Sequence, residues 1–517
     1  MNENKYKEII VVCGIIIITF VIIIRLYTFS VIDYGKTQIN TFSPTTKRQN
    51  IIDRNGTILA TDIPMVSLYL NNSLIENEKN IAEKFYKILD IKKDVLYKKI
   101  KNRSKKANLI LIKRHLTPKE HLEIKKLGIA STVFEPDLLR FYPQRNLFSH
   151  ILGYTDIDRN GKSGLEEYYD DYLKNQNNNV LMLTMDARVQ FICREELLKA
   201  VKEYNAHFGV VVVSEIKTGN IISAVSIPDF NINKLTEEVK YDEKMTNRIT
   251  LGMYEVGSVM KIFTVASGLV NKVITANTVF DVSSPIKLGN SFVKDGRQVK
   301  KTILTADEGF TFSSNKVMVQ IIKKVGLKNY QNFMESLGML EKLDLDIKQL
   351  SFPLQERIWR DVNLATMSYG YGLAITPMHI IQGLNTIMNN GEFISLRFSY
   401  EKKQEKKQIL PKNITSQMKN LMKNVVEKGT GRSARIKDYE IGGKTGSAEI
   451  ISRDGYVKNV YRASFAGAFP INDPKYSIFI MLENPTLSNG TSGTGGAVSA
   501  PLAKNIIEKI VPILKTY

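Results

Sequence analysis

The sequence predicts an α+β fold with a central antiparallel sheet flanked by helices, and the order of its apolar segments supports this prediction. Residues 208–227 read as two strands joined by a turn at Lys217–Asn220. Segments with helical spacing of apolar residues follow between residues 259 and 388. Strand-like segments return over 462–485, and a last helical segment begins at Ala500. Strands, helices, strands and a helix, in that order, are typical of a sheet whose helices are segregated around it.

Composition excludes several classes of protein. The 517 residues are enough for two or three domains, and 43% hydrophobic with 24% charged residues excludes wholesale disorder. With 72 Lys and Arg against 52 Asp and Glu, the net charge is +20. That charge fits either a polyanionic partner or a compositional bias that spreads basic residues over the surface. We favour the compositional bias and expect no nucleic-acid partner, because no basic arm stands out. The two cysteines exclude a disulfide framework and a cysteine-rich metal site.

The N-terminus predicts a membrane anchor. Ile9–Ile24 is a run of sixteen residues without a charge, and the apolar character continues past Arg25 to Ile32. We predict a cytoplasmic tail over residues 1–8 and a single transmembrane signal anchor over 9–32. A cleaved signal peptide and a buried helix are the alternatives, but no small-residue cleavage pattern follows directly. The charges on the two sides of the span do not decide its orientation.

Two regions follow the predicted anchor. Residues 33–180 begin with a polar stalk and then mix short apolar runs with lysine-rich helical patterns. Apart from a hairpin signal at Asn55-Gly56, this region shows no nucleophile–base pair and no metal-ligand spacing, so we predict a spacer or docking domain. The pattern changes near Leu181, and we predict a second domain over 181–517.

A serine and a lysine one helical turn apart form the first candidate for catalysis. Ser258 precedes an almost wholly apolar helical segment, and Lys261 lies on the same face as the serine. Burial lowers the pKa of a lysine, so Lys261 could accept the serine proton. Two alternatives remain open at this point: Ser258 could only cap its helix, and Ser313 with Lys316 has the same spacing.

Two further groups contain polar residues of the right chemistry. Ser313 and Asn315 lie just before an apolar helical segment, where one could relay a proton and the other hold an amide, unless they only cap the helix. Lys444, Thr445, Gly446 and Ser447 lie in a segment that reads as a strand or as a glycine-rich turn. In a strand, Thr445 and Ser447 share a face, where both hydroxyls could bind a carboxylate, while Gly446 leaves room for a substrate backbone.

The three groups together resemble one known set of motifs. Ser-x-x-Lys, Ser-x-Asn and Lys-Thr-Gly lie 55 residues (258 to 313) and 131 residues (313 to 444) apart, in the order found in penicillin-binding proteins and β-lactamases. From about Arg48 onward the chain resembles a class B penicillin-binding protein. Gln49 stands where the family usually has Gly, Val256 where it has Pro, and Ser447 where it has Thr. The segments that carry the resemblance are RQNIIDRNGTILATD, RFYPQRNLFSHILGYTD, GKSGLEEYYDDYL, LTMDARVQ, IPDFNIN, YEVGSVMK, SYGYGLAITPMHII, NNGEF, VVEKGTGRSAR, KTGSAE and GGAVSAPLAK.

The resemblance implies a fold and a mechanism. It implies that residues 33–180 form the pedestal, or dimerisation-type, domain and that 181–517 form the transpeptidase domain. Ser258 would attack the penultimate D-Ala carbonyl of a peptidoglycan stem peptide, and Lys261 would be the general base. Ser313 would relay a proton to the leaving D-Ala, and Lys444 would tune Ser313 electrostatically. The residues implied to bind the substrate are Asn315, for an amide, Thr445 and Ser447, for the terminal carboxylate, and Gly446, beside which the substrate backbone would lie. No metal and no cofactor is implied.

The resemblance also implies a cellular role. Segments such as DRNGTILATDIPMVSLYLN look most like septal, cell-division transpeptidases of Gram-negative bacteria, and elongation-specific enzymes are the nearest alternative. The expected location is the cytoplasmic (inner) membrane, with the catalytic domain in the periplasm. The expected partners are stem peptides, β-lactams, the membrane and divisome proteins, including a polymerising glycosyltransferase. A divisome scaffold or β-lactam sensor with weak catalysis, and a serine β-lactamase, remain alternatives.

Overall fold

The protein is described by a computed structural model over residues 3–27, 47–104, 106–235, 242–289, 291–452 and 455–515. Its helices are α1 (Glu3–Tyr27), α2 (Glu78–Leu89), α3 (Lys93–Lys101), α4 (Pro118–Lys126), α5 (Ser149–Leu152), α6 (Gly164–Tyr168), α7 (Asp170–Lys174), α8 (Ala187–Glu203), α9 (Lys261–Val270), α10 (Ala306–Thr311), α11 (Asn315–Val325), α12 (Leu327–Ser336), α13 (Asp361–Met367), α14 (Pro377–Met388), α15 (Ile414–Glu427) and α16 (Ala500–Leu514). Its strands are β1 (Ile51–Ile52), β2 (Ile58–Asn71), β3 (Leu109–Leu116), β4 (Thr132–Phe141), β5 (Leu181–Met182), β6 (Phe208–Glu215), β7 (Ile221–Ile227), β8 (Val279–Asp281), β9 (Ile286–Leu288), β10 (Ser291–Val293), β11 (Ile303–Thr305), β12 (Leu354–Gln355), β13 (Leu373–Ala374), β14 (Glu392–Ile394), β15 (Lys406–Gln408), β16 (Gly442–Ser452), β17 (Gly455–Phe469) and β18 (Tyr476–Glu483).

The chain forms two compact units, residues 1–47 with 63–139 and residues 48–62 with 140–517. In the first unit, β2 pairs antiparallel with β3, and the apolar faces of α2 and α3 close a small core. Phe85 of α2 is fully buried in that core. The side chains of Asn77 and Thr117 accept hydrogen bonds from the first turns of α2 and α4, which fixes where these helices begin. The boundary that we predict between residues 180 and 181 separates two domains by function and not by compactness. It stays a prediction.

The second unit is built around an antiparallel sheet in the order β16-β17-β18-β6-β7. Strand β6 carries the run Val210–Val213, in which all four valines are buried, because helices cover both faces of the sheet. One face packs against α8 and α16, and the other packs against α14 and the helices around it. The predicted strand–turn–strand over 208–227, the later strands and the last helix are all observed, and the antiparallel sheet flanked by helices is confirmed.

A buried cluster of charges holds residues 48–62 within this second unit. Glu166 is completely buried and accepts from Arg48 Nε and Arg140 Nε, each at 2.7 Å. Asp62 is also buried and accepts hydrogen bonds from Arg140 Nη1 at 3.2 Å and from Arg159 Nη1 at 2.8 Å. The cluster therefore fastens the start of the unit to the segment 140–170.

Replacing Glu166 by glutamine should destabilise this unit strongly. The change keeps the size of the side chain but leaves the two buried guanidinium groups of Arg48 and Arg140 short of a negative charge. Removing one partner of a buried ion pair costs about 3–5 kcal/mol. Urea unfolding of the native chain and the variant measures this loss; a loss below 1 kcal/mol would mean that the arginines do not depend on the charge of Glu166.

The structure describes only part of the N-terminal segment for which we predict a membrane anchor. No helix in the described part of the chain combines the length and the apolar character that crossing a membrane requires. Residues 28–46, which include the end of the predicted anchor and the predicted stalk, lie outside the described residues, as do residues 1–2 of the predicted tail. The transmembrane anchor over 9–32 is therefore not confirmed.

Candidate active site

Ser258 lies in a single 3-10 turn, Gly257–Met260, that leads directly into α9 at Lys261. The side chain of Ser258 is partly exposed, whereas Lys261 is completely buried. Gly257 has a φ of +54°, and a Cβ at this position would lie 2.9 Å from the carbonyl oxygen of Ser447. The turn can therefore approach strand β16 only because residue 257 has no side chain.

Replacing Gly257 by alanine should lower the rate of Ser258 acylation by about 100-fold, because a displacement of about 1 Å at a catalytic group costs this much. The added methyl group would push the turn away from β16. Gly289 is the matched control, since its φ of +57° carries the same backbone strain and nothing lies within 4 Å of its Cβ position. Labelling kinetics with a fluorescent penicillin compare the two variants; equal rates would show that the close approach is not needed.

Ser313 lies between α10 and α11 in the left-handed conformation, with a φ of +62°. A non-glycine residue in this region stores strain, which is common where a side chain is held for function. Ser314 caps α11 by accepting from the backbone N–H of Val317, so the predicted capping role belongs to Ser314. Asn315 is the first residue of α11, and its Nδ2 donates to the carbonyl of Lys294 at 3.1 Å.

The Lys-Thr-Gly segment is a strand, as one of the two sequence interpretations predicted. In β16, Thr445 lies opposite Phe465 of β17, and Ser447 lies opposite Ala463. A Cβ at Gly446 would lie 2.4 Å from both the Val256 carbonyl oxygen and Ser464 Oγ. Gly446 is thus required for packing against the Ser258 turn, which is a structural reason in addition to the predicted room for a substrate.

The side chains of both buried lysines converge on Ser313. Lys261 Nζ donates to Ser313 Oγ at 3.0 Å, to the Ser313 carbonyl at 2.8 Å and to Asn315 Oδ1 at 2.7 Å. Lys444 Nζ donates to the same Ser313 Oγ at 3.0 Å and to the Thr445 carbonyl at 3.2 Å. Within the described residues, neither lysine donates a hydrogen bond to Ser258. Ser313 Oγ therefore links the two amines, and Lys444 reaches it although its side chain leaves β16 on the face opposite to Thr445.

Burial changes the proton affinity of both amines. Loss of water lowers the pKa of Lys444 from its usual 10.5 to about 7. Burial, and then the positive charge of Lys444, hold the pKa of Lys261 well below 10.5, while Asp295 acts weakly in the opposite direction. Two adjacent ammonium groups with no carboxylate in contact are unfavourable, so at least one lysine is neutral near pH 7. A neutral lysine amine can accept the proton of a serine hydroxyl.

The Lys444 shift also predicts how stability depends on pH. Between pH 7 and about 10.5 the unfolded lysine keeps its proton and the folded one does not, so the native state gains stability as the pH rises through this window. The variant Lys444→Met has no ionisable group at this position. The free energy of unfolding of the native chain should rise relative to that of Lys444→Met by up to about 1.4 kcal/mol per pH unit. Urea unfolding at pH 7, 8 and 9 measures this difference; parallel pH curves would contradict the shift.

The predicted residues surround one cleft of about 590 Å³. Ser258, Ser313, Asn315, Thr445 and Ser447 line it, and Lys261 and Lys444 are buried beneath it. Other lining residues are Gly296, Gln298, Tyr371, Thr430, Glu449, Tyr461, Thr494 and Gly496.

Sequence reasoning missed Thr430, whose Oγ1 lies 2.8 Å from Thr445 Oγ1 in a hydroxyl–hydroxyl hydrogen bond. It also missed Gly495, whose N–H donates to Ser447 Oγ at 3.0 Å. Both residues lie in segments that carry the family resemblance, but no spacing rule connects a lone threonine or glycine to a strand elsewhere in the chain. The available signal was only the resemblance of the segments.

The competing Ser-x-x-Lys match is not a pair in the structure. Lys316 Nζ donates to the carbonyl of Val282 and not to Ser313 Oγ. Asp295 accepts from Ser314 Oγ at 2.8 Å and from the Lys316 N–H at 3.1 Å, which fixes the start of α11. The geometry therefore favours Ser258 with Lys261 over Ser313 with Lys316.

Comparisons with known proteins identify the domains that contain this site. Residues 209–508 match the family described as the penicillin binding protein transpeptidase domain, and residues 44–197 match the penicillin-binding protein dimerisation domain. A probable peptidoglycan D,D-transpeptidase FtsI of Caulobacter vibrioides is 30% identical over 90% of this chain and 81% of its own length. A probable peptidoglycan D,D-transpeptidase PenA of Neisseria gonorrhoeae is also 30% identical, over 90% of this chain and 84% of its own length.

A solved structure shares the fold. The crystal structure of penicillin binding protein 3 from Mycobacterium tuberculosis, complexed with aztreonam, superposes with a TM-score of 0.70 at 21% identity. The superposition covers 90% of this chain and 96% of that one. The Ser258 cleft, the two family matches and the relatives agree, and the chain belongs to the class B penicillin-binding proteins, which join a dimerisation domain to a transpeptidase domain.

Proposed function

We propose that this chain is a peptidoglycan D,D-transpeptidase that cross-links stem peptides through an acyl-enzyme on Ser258. The observation that carries the proposal is the convergence of Lys261 and Lys444 on Ser313 beneath a cleft that Ser258 lines. Relatives named as peptidoglycan D,D-transpeptidases, which this chain matches over 88–90% of its length, support the same activity.

The proposed acylation begins with proton transfer. Ser258 Oγ attacks the penultimate D-Ala carbonyl and gives its proton to neutral Lys261. For this, the Lys261 amine turns from Ser313 toward Ser258 when substrate binds, since catalytic hydrogen bonds often tighten only in the complex. Backbone N–H groups of Ser258 and Ser447 stabilise the oxyanion, a contribution of about 3–4 kcal/mol per donor.

The proposed release of D-Ala uses the Ser313 hydroxyl. Ser313 Oγ contacts both amines, so it can pass the proton from Lys261 to the leaving D-Ala nitrogen while Lys444 supports it electrostatically. An amine of a neighbouring stem peptide then attacks the acyl-enzyme, which forms the new amide and frees Ser258. The same steps with a β-lactam leave a ring-opened acyl group on Ser258.

The proposed binding residues line the same cleft as the serine. Asn315 would hold the amide of the donor, and the hydroxyls of Thr445 and Ser447 would bind its terminal carboxylate. The Thr430 hydroxyl, bonded to Thr445, would orient that hydroxyl toward the carboxylate.

We also propose a septal role at the cytoplasmic membrane. The relatives named FtsI support division, whereas another relative is stage V sporulation protein D of Bacillus subtilis, 27% identical. The uncharged run Ile9–Ile24 supports an anchor, with residues 33–180 as the pedestal and 181–517 as the catalytic domain. Depletion that gives filaments supports the septal role and divisome partners; round cells would favour elongation.

Turnover of a stem-peptide thioester by the full-length chain tests the activity. We expect Ser258-dependent release of thiol and, with an added D-amino acid, formation of the new amide. Prompt hydrolysis of penicillin without amide formation would instead indicate a β-lactamase. Binding of penicillin without any turnover would favour a scaffold or sensor role.

A further inference from the structure

A second pocket opens beside the catalytic cleft, and nothing in the mechanism above uses it. Its volume is about 370 Å³. We call it the tyrosine pocket; its lining residues are Thr366, Tyr369, Tyr371, Gly372, Glu449 and Tyr456. Tyr371 and Glu449 also line the cleft around Ser258, so the two spaces share a wall. A substrate that fills the cleft can therefore extend into the tyrosine pocket.

Three aromatic rings form one side of this pocket. The Tyr369 and Tyr371 ring centroids lie 5.9 Å apart, and those of Tyr371 and Tyr456 lie 5.3 Å apart, with interplanar angles of 64° and 88°. Successive rings are therefore close to perpendicular. The electron-rich faces of tyrosine rings attract cations, alkylammonium groups included.

Two carboxylates add negative charge. Glu449 lines the pocket, and Glu255, 8% exposed, lies against it. Glu255 Oε1 accepts from the Gly372 N–H at 2.6 Å and from the Tyr456 hydroxyl at 3.0 Å. Glu255 Oε2 is buried without a hydrogen-bond partner.

These charges have no balancing cation in the described part of the chain. No lysine or arginine lines the pocket, and neither Glu255 nor Glu449 forms an ion pair with a described residue. A buried carboxylate oxygen without a partner is costly. The tyrosine pocket is therefore a locally negative region in a protein whose net charge is +20, and it suits a positively charged ligand.

The position of the pocket along β16 indicates which part of a substrate reaches it. Thr445, Ser447 and Glu449 follow one another at every second position of β16, so they lie on one face of the strand. If the terminal carboxylate of the donor lies at Thr445, a peptide that continues along the strand past Ser447 brings its earlier residues to Glu449. The pocket is thus on the side of the donor that stays attached to Ser258 after D-Ala leaves.

We propose that the tyrosine pocket is a subsite for an alkylammonium group on the donor stem peptide. The inference rests on the proposed function, because a cross-link that joins a carbonyl to an amine requires every unlinked stem peptide to carry a free amine. Carboxylates keep such an amine protonated and therefore not nucleophilic. The pocket consequently suits the spectator amine of the donor and not the amine that attacks the acyl-enzyme.

Two penicillins that differ only at the end of the acyl side chain test this subsite. One ends in a primary ammonium and the other in a methyl group of the same length. The full-length chain is acylated with each, and competition with a fluorescent penicillin gives both second-order rate constants. We expect the ammonium probe to react roughly tenfold faster, and the ratio to fall as salt is added.

Glu449→Gln should reduce this ratio to nearly one. Glu356→Gln is the matched control, because Glu356 is exposed, lies outside the pocket and carries the same charge; its ratio should stay near ten. Equal rates for the two probes on the native chain, or an unchanged ratio in Glu449→Gln, would overturn the subsite while leaving the Ser258 chemistry in place. Failure of both probes to label Ser258 would overturn the proposed function, and the subsite with it.

Discussion

Replacing Ser258 by alanine should abolish covalent labelling by penicillin while leaving the fold intact. The acyl group has no other attachment point in the proposed mechanism, so no adduct should form at any concentration of penicillin that saturates the native chain. Ser258 Oγ makes no hydrogen bond to a described residue, and its removal should therefore change the free energy of unfolding by about 0.5 kcal/mol or less. Gel fluorescence measures the labelling, and thermal unfolding measures the stability.

Ser267→Ala is the matched control for this experiment. Ser267 lies on α9, is completely buried and is 9 residues beyond Ser258, so the variant tests whether the loss of a nearby serine matters by itself. It should label like the native chain. Persistent labelling of Ser258→Ala would assign the nucleophile to another residue and refute the proposed mechanism.

Replacing Lys261 by methionine should slow acylation of Ser258 by about 10³-fold. A positioned general base contributes typically about 10²–10⁴-fold, and the variant removes the base while keeping an unbranched buried side chain. Because the native lysine loses its hydration on burial, the stability should not fall with the activity. Stopped-flow acylation at pH 6–9 measures the rate, and the residual rate should no longer follow the titration of Lys261.

Lys316→Met separates this result from a general effect of losing a buried lysine. Lys316 has the same spacing from Ser313 as Lys261 has from Ser258, but its amine is bonded to the Val282 carbonyl. Its variant should be acylated within a few-fold of the native rate. A large loss in Lys316→Met with little loss in Lys261→Met would mean that the other Ser-x-x-Lys pair is the working one.

Short-range patterns predicted much of the fold. Strands β6 and β7 and helix α16 follow from apolar runs bounded by turn residues, because local patterns determine such elements. The strand that carries Lys444 and Thr445 was one of two interpretations, since its glycines also suit a turn. The small strands β8 to β15 were not predicted, because segments of two or three residues carry no period.

The candidate site depended on long-range packing that spacing does not contain. Alternation along β16 puts Lys444 on the face opposite to Thr445, and residue spacing alone does not show how its side chain reaches the cleft. The structure brings the strand, α9 and the start of α11 together, so that the lysine side chain reaches Ser313 Oγ. The tyrosine pocket likewise depends on long-range contacts, such as the hydrogen bond that Tyr456 donates to Glu255, 201 positions earlier in the chain.

The most direct test of the central claim is to map the penicillin adduct of the native chain by peptide mass spectrometry. Ser258 and Ser313 both precede a lysine by three residues, and Ser313 Oγ is the one that contacts two amines. Our account assigns Ser258 as the nucleophile and Ser313 as the proton relay, so it predicts one stable adduct on the peptide that contains Ser258. An adduct on Ser313, or none on the folded chain, would contradict it.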